Sequence, residues 1–214
     1  MNWYEVWNNR KLPTEYTLQA LLTLDGFDVG AGKVRADEWL NYALEIKAEM
    51  GMQYKDNVYE VGCGAGAFLY ALKQKSISGC DYSEKQIKSI SKIFPYSSFD
   101  LCRADEISTD DKYDFVISNS VFQYLDLETA EKVITLMIKK ARKAVGIFDI
   151  PDDKLRVMTE VLRSKTTENY NERYKDLEHT YYDREFFDTY NPKYVKGTPT
   201  LEGENRFGVV IWTD

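Results

Sequence analysis

Soft metal ligands are scarce in this 214-residue chain, which has one histidine, His179, and three cysteines, Cys63, Cys80 and Cys102. The cysteines are odd in number and form no CxxC pair, so a zinc site built from Cys and His is hard to assemble and no metal is expected. Unpaired cysteines fit a reducing compartment, and a cytoplasmic location is the expectation. No apolar run approaches the ~20 residues that a membrane span needs. The opening Met1-Asn2-Trp3-Tyr4-Glu5 lacks the basic-then-apolar pattern of a secretion signal. Repeats, low-complexity tracts and a Pro/Ser-rich linker are also missing. Positive charge is in deficit, with a net charge of −7, which makes a nucleic-acid partner a poor fit. The densest basic cluster, Lys139-Lys140-Arg142-Lys143, ends an expected helix, where the macrodipole favours cations. Oligomeric state leaves no trace in the sequence.

What is present is a hydrophobic pattern with two periods. An N-terminal helical cap is expected over 1–54, followed by one ligand-binding domain over 55–214. Within the cap, Trp39, Ala43, Ile46 and Met50 predict a helix over about 37–50, with Asp37 at its start and Gly51 at its end. From residue 57 short apolar strands alternate with amphipathic helices. Strands are expected at 57–61, 77–80, 99–102, 113–118 and 144–150. Helices are expected after the glycine-rich turn, after Ser83 and over 128–142. Ser83 and Gln86 form a capping box. This alternation predicts an α/β fold, a doubly wound and mostly parallel sheet covered on both faces. Ligands in such sheets bind beyond the strand C-termini, where strand order reverses. A helix over 152–164, a polar Tyr-rich stretch over 166–182, a short helix over 183–190 and a late hairpin ending in strand 207–212 complete the pattern.

The segment that carries chemistry is Val58-Tyr59-Glu60-Val61-Gly62-Cys63-Gly64-Ala65-Gly66, joining the first strand to its helix. Glycines allow the backbone to turn and a ligand to approach closely. The spacing is not the GxGxxG of dinucleotide sites. Glu60, two residues before the first glycine, would repel a pyrophosphate. It suits a ligand bearing ammonium and sulfonium charges, which points to S-adenosylmethionine (SAM) rather than NAD. Asp81 ends strand 2, 21 residues after Glu60, where a carboxylate can accept from both ribose hydroxyls. Tyr82 and Ser83 follow it. Asp105 and Glu106, just past strand 3, are candidates for the adenine amino group, with a polar surface turn as the rival reading. Asn119 and Ser120 end strand 4, beside the methyl group to be transferred.

These four segments, in this order and spacing, resemble the class I SAM-dependent methyltransferases over residues 55–150. The resemblance implies a Rossmann-like, seven-stranded sheet with one antiparallel strand, a role that 207–212 fits. It also implies SAM as cofactor and S-adenosylhomocysteine (SAH) as product. The Asp/Asn-Pro-Pro-Tyr/Phe signature of base-modifying members is replaced here by Asn119-Ser120-Val121-Phe122. The chain is thus more similar to the small-molecule branch.

Methyl transfer needs in-line positioning and exclusion of water. A hydroxyl acceptor would gain from a general base, for which His179 is the candidate. Trp3, Tyr4, Trp7 and Tyr16 are expected to close over the cofactor, with plain packing as the alternative. Cys63, Cys80 and Cys102 read as small packing residues. The function expected is methyl transfer to a small molecule, with O-methylation first. The alternatives are an RNA or protein methyltransferase, an NAD-dependent oxidoreductase and a non-catalytic SAM-fold subunit.

Overall fold

The computed structural model describes residues 2–168, 172 and 177–213. The expected Tyr-rich stretch therefore lies partly outside the described residues. Three helices, α1 (Trp3–Asn8), α2 (Leu18–Leu24) and α3 (Ala36–Glu49), precede the first strand. Strands β1 (Asn57–Val61), β2 (Ser76–Asp81), β3 (Ser98–Leu101) and β4 (Tyr113–Asn119) follow, with α4 (Ala67–Leu72) and α5 (Glu84–Ile93) between the first three. Then come α6 (Leu127–Lys140), β5 (Ala141–Pro151), α7 (Arg156–Thr166), α8 (Glu185–Asp188), β6 (Lys193–Lys196) and β7 (Arg206–Trp212).

The strands form one seven-stranded sheet in the order β3-β2-β1-β4-β5-β7-β6. β1 pairs in parallel with β2 and β4, and β7 runs antiparallel to both β5 and β6. β7 is thus the single reversed strand, and β6 forms the edge. Strand order reverses between β1 and β4, so Val61, Asp81 and Asn119 end side by side at the mouth of the switch point.

Each face of the sheet packs a hydrophobic layer. One layer joins Leu21, Leu22, Trp39 and Ile46 of the first fifty residues to Val58, Phe68, Phe148 and Val210. The other buries Val133, Ile134 and Met137 of α6 against Val116, Val145 and Val209. α3 shows why its stripe works: Trp39, Tyr42, Ala43 and Ile46 are buried, and the Trp39 indole donates to the Ala67 carbonyl at 3.3 Å. Its N-cap is Arg35 rather than Asp37. The Glu38 carboxylate accepts from the Arg35 amide at 3.1 Å, and Asp37 pairs with the Arg35 guanidinium.

Other boundaries move for tertiary reasons. Ala141 pairs with Tyr113, so β5 starts three residues before the expected 144 and α6 stops at Lys140. Lys140 turns inward, its ammonium 4.3 Å from the Tyr59 ring and 5.1 Å from that of Tyr113. The expected helix at 152–164 opens instead as a tight turn over Asp153–Leu155. There Asp152 accepts from the Lys154 amide at 3.1 Å and pairs with Arg184 at 2.9 Å, which delays the α-helix to Arg156. The capping box of α5 is half formed: the Ser83 hydroxyl accepts from the Gln86 amide at 3.4 Å, while the Gln86 side chain donates to the Leu24 carbonyl at 3.2 Å.

Candidate cofactor and acceptor cleft

A cleft of about 990 Å³ opens over the C-terminal ends of β1, β2, β4 and β5. Its volume lies at the upper end for small-molecule sites. The loop after β1 forms the floor. Gly62, Gly64 and Gly66 all have positive φ (72°, 51° and 89°), which a residue with a Cβ rarely adopts. A Cβ on Gly62 would overlap Val121, and one on Gly64 would overlap the Asp25 carboxylate. The Cys63 amide is tied to the Cys80 carbonyl at 2.8 Å, which fixes the loop to β2. Gly62, Cys63 and Gly64 line the cleft. Gly66 does not; it caps α4 and lies close to Ile90.

Three carboxyl groups face this floor: Glu60, Asp81 and Asp25. Glu60 is buried, and its Oε2 has no hydrogen-bond partner. Burial, then the charges of Asp25 and Asp81, push its pKa well above the usual carboxylate range. Asp81 accepts from the Ser83 amide at 2.8 Å and from the Gly64 amide at 3.0 Å. Burial lifts its pKa to about 6 against these bonds. Asp25 was not expected. It follows α2, and its two oxygens accept from the amides of Ala65 and Ala67 at 2.6 and 3.0 Å. The Asp25-Gly26 pair reads in sequence only as a turn.

At the β3 side the expected residues separate. Tyr82 and Asp105 line the cleft, but Asp105 spends its carboxylate on Arg103 (2.9 Å) and Lys132 (3.2 Å). Glu106 is exposed and lies outside the cleft lining. Ser83 is fully buried as the cap of α5, donates to Asn8 Oδ1 at 2.9 Å and does not reach the cleft.

The opposite end holds a buried network that the sequence reading missed. Asn119 and Ser120 line the cleft there, as expected. The Ser120 hydroxyl donates to Asp149 Oδ2 at 2.5 Å. Arg206 lies 3.0 Å from Asp149 Oδ2 and 3.2 Å from Glu202 Oε1, and donates to Gln123 Oε1 at 2.9 Å. Arg163 grips Glu202 through Nε at 2.6 Å and Nη2 at 3.2 Å. Burial alone would raise the Glu202 pKa, but Arg206 and Arg163 outweigh it and hold it low. Ser120 and Asp149 both sit at φ 60°, at the ends of adjacent strands. Left-handed strain of this kind in residues other than glycine gathers at functional sites. An acid inside the apolar run of β5, in Phe148-Asp149-Ile150, was the available signal.

His179 lines this end, stacked 4.7 Å from Trp3 and 5.5 Å from Tyr124. Arg163 Nη1 stands 2.9 Å from its Nδ1. A guanidinium has only donors, so Nδ1 must accept and the neutral ring carries its proton on Nε2. Burial, Arg163 and Arg206 all drive its pKa well below the ordinary value, which keeps the ring neutral.

α1 lies across the cleft mouth without burying any of its own residues. The Trp3 indole donates to the Glu178 carbonyl at 3.1 Å, and Tyr4 packs 5.7 Å from Tyr82. Trp3, Tyr4 and Trp7 line the cleft. Tyr16 does not: it packs, partly buried, against the hydrophobic layer that holds Leu21, Leu22 and Trp39.

Residues 58–144 match the family model described as a methyltransferase domain. The fold is shared by magnesium protoporphyrin IX methyltransferase (ChlM) of Synechocystis with bound SAH, at TM-score 0.60 and 13% identity, covering 99% of this chain and 92% of that one. It is shared also by the N-methyltransferase NodS of Bradyrhizobium japonicum in complex with SAH, at TM-score 0.61 and 16% identity over 83% and 86% of the two chains. A third likeness is to DesVI of Streptomyces venezuelae, at TM-score 0.61 and 14% identity over 91% and 98%. Residues 58–144 are therefore similar to a methyltransferase domain, and the three solved structures share the chain's fold. No curated protein sequence matches the chain significantly. Among the described residues no cluster of His, Cys, Asp or Glu is placed to hold a metal ion, and no helix is long and apolar enough to cross a membrane.

Proposed function

We propose that this chain binds SAM over the glycine loop and transfers its methyl group to a small-molecule acceptor seated between Asn119, Asp149 and His179. The observation that carries the reading is the buried, partnerless Glu60 oxygen in a cleft floored by Gly62, Cys63 and Gly64. Ionising a buried acid that has a partnerless oxygen is costly, and a cationic nucleoside offsets that cost where a pyrophosphate would add to it. SAM, when bound, supplies an electrophilic methyl on a sulfonium that leaves readily. The protein's part is to bind and orient: Asp81 for the ribose hydroxyls, Gly62, Cys63 and Gly64 as the backbone floor of the cleft, Tyr82 beside the nucleoside. Asp105 contributes at the adenine edge through whatever accepting capacity Arg103 and Lys132 leave. Domain assignment follows the same division, with 1–54 as a cap and 55–214 as the SAM-binding unit.

A hydroxyl is the first reading of the acceptor atom. His179 enters it as a positioning residue rather than a base, because its Nδ1 lone pair is turned to Arg163 and Nε2 is left as a donor. That observation favours a second reading, an amine acceptor, which attacks through its lone pair once it has lost its ammonium proton to solvent, and sheds its N–H proton to solvent after transfer. The test is incubation with methyl-labelled SAM and a panel of hydroxyl, amine and carboxylate metabolites. Label on one class identifies the acceptor; label on none, under conditions where SAM binds, refutes catalysis of small-molecule transfer by this chain alone.

A further inference from the structure

Asp25 has an unusual position. It lies half-buried at the C-terminal end of α2, about 40 residues before the loop that it touches. Each of its oxygens takes one amide of the glycine loop, Ala65 and Ala67. Its carboxylate also fills the space next to Gly64, so the loop's close approach at that point is to Asp25. No other side chain of the N-terminal fifty residues bonds an amide of the loop among the described residues.

We propose that Asp25 is a positioning residue for cofactor binding, holding the glycine loop in its ligand-ready shape from the N-terminal segment. The inference rests on the reading that this cleft takes SAM. Free loop amides would otherwise attract an anion, and a loop with three positive-φ glycines has many conformations to lose on ordering. By occupying two amides with a fixed carboxylate, the chain orders the loop before the ligand arrives and leaves a negative charge beside a cationic cofactor.

The groups facing Asp25 are Glu60 from β1, Asp81 from β2, the Cys63 thiol from the loop itself and Arg10 from the segment after α1. Desolvation raises its pKa most; the two amide bonds lower it, Asp81 raises it and Arg10 lowers it, leaving about 7. Loss of charge at Asp25 therefore falls within an accessible pH range.

The experiment is calorimetric titration of the full chain with SAH at pH 5.5 to 8, for wild type, Asp25→Asn and the exposed control Asp37→Asn, alongside hydrogen exchange of residues 62–68. Asp25→Asn is expected to weaken SAH binding at pH 8 at least tenfold, to flatten the pH profile between 6 and 8 and to speed exchange in the loop, with the control unchanged. Equal SAH affinity in Asp25→Asn and wild type overturns the inference, as does a lower melting temperature with unchanged affinity, which marks a merely structural role. Should Asp25→Asn fail to fold, hydrogen exchange of the ligand-free wild type decides: the Ala65 and Ala67 amides are expected to exchange slowly, and fast exchange at both overturns the proposal. Wild type that binds no SAH at any pH refutes the cofactor reading itself, a result distinct from these.

Discussion

The two ends of the cleft hold charge in opposite ways. At the glycine loop, Glu60, Asp25 and Asp81 share one small region, and Arg10 is a cation that acts on Asp25. Their pKa values are pushed up, to about 7 for Asp25 and about 6 for Asp81. At the Asp149 end, Arg163, Glu202, Arg206 and Asp149 alternate in sign within 2.6–3.2 Å of one another, and Glu202 is held low. At the first end, ionisation is disfavoured by burial and mutual repulsion. The second is already neutralised and works as a rigid wall. A binding site stores cost where the ligand will repay it, whereas a positioning wall settles its charges internally.

Breaking the wall should have the largest effect. Arg206→Met leaves Asp149 and Glu202 buried with one partner fewer. A loss of about 3–5 kcal/mol is expected, read as a lower midpoint in urea unfolding. A loss under about 1 kcal/mol would mean that the network is not the settled unit described.

Breaking the acidic end should do the reverse, weakening ligand without unfolding the chain. Asp81→Ala removes a charged acceptor worth about 1.5–3 kcal/mol, so SAH affinity is expected to fall about 10- to 150-fold by calorimetry while the circular dichroism spectrum is retained. Glu60→Gln sharpens the contrast. It should raise the melting temperature of the ligand-free chain, since a partnerless buried acid is removed, and lower SAM affinity by on the order of tenfold. Lower stability together with unchanged affinity would contradict the account.

Much of this was legible in the sequence, and the parts that were not share a cause. The alternation of strands and helices, the reversed strand near 207–212 and the loop from Glu60 to Gly66 are local patterns, and the structure bears out the α/β, seven-stranded architecture. Asp81, Asn119 and Ser120 sit at strand ends, which a strand boundary places directly. Asp25, Asp149, Arg163, Glu202 and Arg206 act on partners up to 83 residues away, as Arg206 does on Gln123. Spacing carries no sign of such pairing. Tyr16 and Ser83 were placed in the site by chemistry and proximity alone. Packing against the core layer takes the first, and the cap of α5 takes the second.

A smaller effect separates the ends by pH. Asp25, Asp81 and Glu60 have pKa values raised by the fold, so their contribution to stability is greatest at low pH and is lost as pH rises through about 6 to 7 and beyond. A cationic ligand prefers their ionised forms. The gain in melting temperature on adding SAM is therefore expected to grow from pH 5.5 to 7.5, by differential scanning fluorimetry. The Arg163–Glu202–Arg206 wall should stay unchanged across that range, because Glu202 titrates below it.

Which nucleoside the acidic floor accepts decides between the sulfonium cofactor and a dinucleotide. Calorimetry at pH 7.5 with SAM, SAH and NAD in parallel tests it most directly. Saturable heat with SAM and SAH at micromolar concentrations, and none with NAD, is the expected result. Tight binding of NAD with no heat from either sulfur nucleoside would contradict it.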